Sequence, residues 1–339
     1  MAHARVVDLR FSKPEPRLPA GTALIQAIVE GRRIVYDTND DRGLFGRGTC
    51  DGEDFDRELD AVAAYFKRSC DLSQYARLRG NAKIKPLGLC YRVSSRNNTV
   101  DRGLRPFNAR QLVRGAAERN RLVTSILGVQ GGRRIWLENY EHPPEFEGSP
   151  TVLFSTRLWD PGEVSNAAAQ EQRGVINQMR IDCLRAAREA FGPRFVGGLA
   201  WDEFARAQAP DCLLPSESES GRSRFLHRVR RAAVCVATTG LHDSIGFKMA
   251  EYAAASRAIV SEPLFATLPG SFTAGVNYLE FTSPDAMVRC IELLLEDPDR
   301  RAEMMRANRD YYRTWVRPDS LVLQTLRAVL PDVPPPTRS

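Results

Sequence analysis

The segment from Val234 to Pro263, VCVATTGLHDSIGFKMAEYAAASRAIVSEP, constrains this chain more than any other. The apolar run Ala233–Ala237 is short and β-branched, as buried strands are. A turn at Thr238–His242 contains Gly240, and a helix of about three turns should follow. Asp243 or Ser244 is the expected N-cap, because either side-chain oxygen can accept an orphan N–H of the first turn. A second apolar run, Ala258–Val260, ends in Ser-Glu-Pro, where the proline stops it. Strand, turn, helix and strand together make the repeating half of a parallel α/β layer.

Helical phase then sorts the side chains. At about 100° per residue, Ser244, Lys248 and Glu251 fall within about 60° of one another. Ile245, Met249, Tyr252 and Ala253 form a different stripe, suited to packing on a sheet. A hydroxyl, a cation and a carboxylate thus share one face above a helix N-terminus, which itself attracts anions. A nucleoside diphosphate fits such a face, with phosphates on Lys248 and on the N–H groups around Gly240 and Ser244, and ribose hydroxyls on Glu251. The same spacing also describes a solvated ladder worth a few tenths of a kcal/mol per pair.

Gly240, Asp243, seven intervening residues, Glu251, a small-residue break and the strand Ala258–Val260 resemble the donor-site signature of GT-B glycosyltransferases. The resemblance is to the group 1, family 4-like branch. Asp243 stands where Glu is commoner, and Ser256 where Gly is customary. Further on, FTAGVNYLEF (272–281) and the following SPDAMVRCIELLLEDPDRRAEMMRANRDYYRTWV are similar to the closing pattern of that family. The match runs from about Thr151 to Leu330. It implies an α/β fold, GT-B-like, with two Rossmann-like domains facing a central cleft, the N-terminal one small. It implies a glycosyltransferase that uses a nucleotide diphosphate-sugar (UDP, GDP or dTDP) as donor substrate, with no cofactor and no metal. The acceptor would be a glycan, a lipid-linked molecule or a small molecule carrying a hydroxyl. Asp243 would lie near the donor sugar and Glu251 at the ribose. Arg157, just after the strand Thr151–Phe154, matches the basic position that reaches the diphosphate; by itself it reads equally as a surface arginine.

The length of 339 residues suits two domains, expected at 1–145 and 146–339 with the Pro-rich Asn139–Ser149 between them. No run approaches the roughly 18 apolar residues of a membrane span, and MAHARVVDLRF lacks the apolar core of a signal peptide, so the cytoplasm is the expected compartment. Seven scattered cysteines without a C-x-x-C pair indicate neither disulfides nor zinc. A net charge of +6 is modest for this length and demands no nucleic acid. Arg102–Arg134 is rich in arginine, and a helix at 109–123 would align Arg110, Arg114 and Arg121. That face suits an acceptor at the inner membrane surface or, the preferred reading, plain solvent.

In the N-terminal half, Ala4–Phe11, Arg33–Tyr36, Ala61–Ser69 and Ala82–Leu89 read as strands of a trimmed Rossmann-like sheet. Asp40, in the acidic run after Arg33–Tyr36, sits where open α/β sheets place ligands and is the candidate general base. Its alternative is a turn residue ahead of a glycine-rich loop whose Gly43, Gly46 and Gly48 lack dinucleotide spacing. Asp54-Phe55-Asp56 has metal-like spacing but lies in an acidic loop expected to be solvated. A long helix is expected from about Ser165 to Phe191, then a strand at Arg194–Gly198 and an irregular, Ser- and Glu-rich loop at Trp201–Ser223. Among the histidines, His227 reads as structural, and His242, beside Asp243, as the one placed to touch phosphate or sugar. Two other classes fit the same crevice: another nucleotide-sugar enzyme, a hydrolase or epimerase, and a non-catalytic GT-B-like binding protein.

Overall fold

A computed structural model describes residues 23–46, 53–94, 135–146 and 148–330. The expected strand at 4–11, the basic helix at 109–123, Gly48 and the terminal PDVPPPTRS lie outside the described residues. The described residues fall into two units. The small one, residues 92–94 with 135–141, is closed by a parallel bridge between Ser94 and Trp136 and by the Tyr140 hydroxyl, which donates to the Arg92 carbonyl at 2.6 Å. Both sheets belong to the large unit.

The first sheet has the order β1-β2-β3-β4, with β1 at Leu24–Val29, β2 at Arg32–Asp37, β3 at Ala64–Lys67 and β4 at Ile84–Pro86. β2, β3 and β4 are parallel, as the spaced apolar runs imply, but β1 pairs with β2 antiparallel. This hairpin escapes the sequence reading. Its turn, Glu30-Gly31, has φ of 48° and 76°, the all-positive geometry of a type I′ connection whose twist matches that of the strands. The acid-rich segment is helix α1, Glu53–Asp60, rather than a loop. Only part of it is solvated: Asp54 pairs with Arg57 at 3.2 Å, whereas Asp56 accepts from the Arg79 and Gly80 amides at 2.8 and 3.3 Å.

The second sheet is wholly parallel, in the order β6-β5-β7-β8-β9: β5 is Val152–Thr156, β6 Phe195–Leu199, β7 Val234–Ala237, β8 Ala258–Ser261 and β9 Leu279–Glu280. Helix α2, Ala167–Phe191, begins on the Asn166 side chain, which accepts from the Ala169 amide. The stretch Trp201–Ser223 is more ordered than its composition suggests. It contains α3, Glu203–Gln208, and the Trp201 indole ties it down by donating to the Leu214 carbonyl at 2.8 Å. Next come α4 (Arg222–Arg231), α5 (Phe247–Ala254), α6 (Pro284–Glu296), α7 (Pro298–Tyr311) and α8 (Pro318–Arg327). Ser283 and Asp297 cap α6 and α7, each with a proline in the first turn, as the closing pattern implies. The main core gathers Val152, Phe154, Leu184, Val234, Val236, Ile291 and Met304 between sheet and helices.

α8 does not stay with the second sheet. Leu321, Leu326 and Val329 pack on Ile34, Ala64, Phe66 and Leu87 of the first, and the Tyr36 hydroxyl meets Thr325 Oγ1 at 2.9 Å. Among the described residues no helix is long and apolar enough to cross a membrane.

Candidate functional site

β5 opens the second sheet and is flanked by β6 on one side and β7 on the other, so the strand order reverses there. The crevice at the carboxyl ends of β5 and β7 is where open α/β sheets bind ligands. Register sharpens the point: β5 and β7 pair only at Val152 with Val234 and Leu153 with Cys235, and the strands part beyond them.

Arg180, on α2, spans that gap. Its guanidinium donates to Thr238 Oγ1 at 3.1 Å, to the Arg157 carbonyl at 2.7 Å and to the Thr239 carbonyl at 2.9 Å. Burial lowers its pKa to about 10, with Glu262 opposing the shift, so it stays charged. Glu262, just past β8, accepts from the Thr239 amide at 2.7 Å and its hydroxyl at 3.1 Å. Neither Arg180 nor Glu262 stands out in a chain so rich in arginine. A signal was nonetheless there: Arg173, Asn177 and Arg180 share one helical stripe with Leu184, Ala187 and Phe191, and all six are buried. Polar residues on an apolar stripe mark the end of α2 that serves loops rather than core; Asn177 holds both backbone groups of Trp159.

The turn after β7 departs from expectation. Leu241–Asp243 forms a single 3₁₀ turn in which His242 and Asp243 have φ of 60° and 54°. The Gly240 amide donates to the Ser244 carbonyl at 2.8 Å and closes the loop. Helix α5 therefore starts only at Phe247, with Gly246 as N-cap and no side-chain cap, and runs about two turns instead of three. Neither Asp243 nor Ser244 caps it, and Ser244, buried, is off the helical face it was expected to share. The N–H groups of Thr239, Gly240, His242 and Ser244 already donate to Glu262, Ser244, Gln172 and Leu241. Those of Ile245, Gly246, Phe247 and Lys248 reach no acceptor among the described residues.

Lys248 lines a small, solvent-open pocket at the carboxyl ends of β7 and β8 with Thr238, Thr239, Gly246, Met249 and Ser261. It is half-buried, and its ammonium makes no hydrogen bond or ion pair among the described residues. Burial lowers its pKa to about 8; Glu251 opposes that shift, and Arg180, Arg222 and Arg157 reinforce it. One turn further on, Glu251 is 2% exposed, with one carboxylate oxygen paired to Arg222 and the other, Oε2, without a partner. A buried, half-satisfied carboxylate is costly unless something else completes it.

The other candidates lie around this centre. Arg157 is exposed and stacks on Trp159, 3.8 Å from the ring centre. Asp243 is paired with Arg42 at 2.8 Å, and Asp40 with Arg68. His242 is exposed beside Asp243, and His227 lies exposed on α4, facing no core. Asp37, at the end of β2, is fully buried and accepts from Lys67, Tyr65 and Asn39, which fixes the start of the loop carrying Asp40.

Residues 180–317 match the family model described as glycosyl transferase-like. Over that stretch, less than half of the chain, the family model agrees with the glycosyltransferase resemblance read from the sequence. No curated protein matches the sequence. Among solved structures, the C-terminal domain of a group 1 family glycosyl transferase (LpcC) from Francisella tularensis is similar over 53% of this chain and 96% of its own, at 13% identity and a TM-score of 0.34. A sucrose-phosphate synthase from Thermosynechococcus elongatus is 12% identical over 80% of this chain, with a TM-score of 0.42. Anabaena Alr3699/HepE, solved with UDP and glucose, is 10% identical over 81% of this chain, with a TM-score of 0.43. The chain spans 59% and 64% of the last two proteins.

Proposed function

We propose that this chain transfers a sugar from a nucleoside diphosphate-sugar to a hydroxyl acceptor, a glycan, a lipid-linked molecule or a small molecule. The observation that carries the reading is Lys248: a half-buried ammonium with no hydrogen bond or ion pair among the described residues, only the Phe225 ring 5.9 Å away, in a pocket at the carboxyl ends of β7 and β8, one turn from the unpartnered oxygen of Glu251. The pyrophosphate would take Lys248 and the spare N–H groups of Ile245–Lys248, with Arg157 free to swing onto it, and Glu251 would hold the ribose hydroxyls. Negative charge grows on the leaving phosphate as the glycosidic bond breaks, and these donors meet it without reorganising. In this reading no metal is needed, residues 1–145 carry the acceptor side and 146–339 the donor side. Asp40 takes the acceptor proton, while Asp243 and His242 face the sugar.

The test is thermal melting with UDP, GDP and dTDP. A nucleotide at about 100 times its Kd should add ~2.7 kcal/mol and raise Tm. A flat response to all three sinks the reading. Analysis of the products then separates transfer from hydrolysis or epimerisation.

The lysine also sets a pH dependence. A bound diphosphate favours the charged ammonium, so its pKa rises on binding from about 8 in the free protein. Nucleotide affinity should then be level below that value and fall as pH rises through it, by up to ~10-fold per unit until the pKa of the complex is reached. Lys248→Arg should remove the fall. Isothermal titration across this range checks both, and an unchanged slope in the variant excludes Lys248 as its source.

A further inference from the structure

Two arginines on loops of the first sheet reach the turn after β7 and the start of the donor helix, and nothing in the reading above assigns them a role. Arg68 directly follows β3 and is 9% exposed. Its backbone amide is fixed by the Asp37 carbonyl at 2.9 Å. Of its side-chain nitrogens, Nη1 pairs with Asp40 and Nη2 donates to the Ile245 carbonyl at 3.0 Å. The face of the guanidinium lies 4.6 Å from the centre of the Phe247 ring. Arg42 repeats the arrangement more loosely, pairing with Asp243 at 2.8 Å and Asp71 at 3.3 Å, with Phe265 5.9 Å away.

The chemistry suits arginine alone. A planar fork can donate from two nitrogens in different directions while its face covers an aromatic ring, which an ammonium cannot do. Ile245 and Phe247 bracket Gly246, so Arg68 holds the backbone whose N–H groups are spare. Through the same rigid group it holds Asp40, on the loop after β2.

We propose that Arg68 is a positioning residue that fixes the donor helix and the Asp40 loop in one geometry, so that occupancy of the donor pocket is felt at residues 37–46. This rests on the glycosyl-transfer reading. Its physical value lies in alignment: attack by the acceptor needs base and donor placed together, and a misplacement of about 1 Å can cost ~100-fold in rate.

Hydrogen exchange on the full chain tests it without an identified acceptor, with UDP, GDP and dTDP as probes. In the wild type, a bound nucleotide should slow amide exchange both at 245–251 and at 37–46. In Arg68→Ala, protection at 245–251 should persist while that at 37–46 is lost. Arg68→Lys should behave alike, because it keeps a charge for Asp40 but gives up the second donor and the stacking; it serves if the alanine variant folds poorly. A purely structural arginine would lower Tm and leave the spread of protection unchanged. Protection of 37–46 surviving in both variants, or confined to 245–251 in the wild type, overturns the inference. Absence of protection at 245–251 in the wild type with every nucleotide instead removes the donor site itself.

Discussion

Lys248→Ala should lose about 2–4 kcal/mol of transition-state stabilisation, roughly 30- to 1,000-fold in kcat, measured as nucleoside diphosphate released per folded enzyme. The size follows from the surroundings. The ammonium is half-buried in a pocket, away from full solvent screening, where a charge acting on a phosphate is worth several times its value in water. No carboxylate neutralises it directly: Glu251 acts on it through space but is bonded to Arg222. Stability should move the opposite way. Burial and three arginines disfavour the charged lysine in the empty protein, so Lys248→Met should raise Tm while slowing transfer as much as the alanine does. A structural lysine would lose stability with the same change, and near-wild-type turnover in either variant refutes the assignment.

Arg257→Met should cost about 3–5 kcal/mol of folding free energy, read as a lower urea midpoint at unchanged slope. Arg257 is 0% exposed and pairs with no acid among the described residues. Its guanidinium donates instead to five backbone carbonyls, those of Ala255, Arg230, Ala232, Pro143 and Glu145. It thereby pins the segment before the second sheet to the ends of α4 and α5. Burial lowers its pKa to about 10, still far above neutrality, so the cation persists and every carbonyl stays satisfied. A thioether fills the space but leaves acceptors buried and dry. Arg257→Lys should recover little, since three donors on one nitrogen cannot reach carbonyls spread around a fork. A midpoint within about 1 kcal/mol of wild type would show that water replaces the arginine freely.

The strand–turn–helix–strand unit was legible because its two β-branched runs bury on both faces and leave no alternative period. Lys248 and Glu251 were legible through helical phase, and both fall within the true helix. Ser244 was not: capping propensity pointed to Asp243 and Ser244, but the Gly240–Ser244 hydrogen bond uses those residues to close a turn and delays the helix. Ser256 is instructive in another way. Glycine is customary there because the chain has φ of 55°, which costs a side chain about 1 kcal/mol. The serine offsets that cost by donating from Oγ to the His142 carbonyl at 2.7 Å. Arg68 and Arg257 were opaque for a common reason. Each is defined by which distant carbonyls surround it, and one arginine among 43 looks like any other until the chain is folded.

The return of α8 to the first sheet sets an order of events during synthesis. As the chain leaves the ribosome, Ile34, Phe66 and Leu87 emerge before the second sheet, yet the side chains that cover them, Leu321, Leu326 and Val329, are translated only after it. The early strands must therefore wait with an open greasy face while the later sheet forms, a window in which a chaperone or an aggregate competes for them.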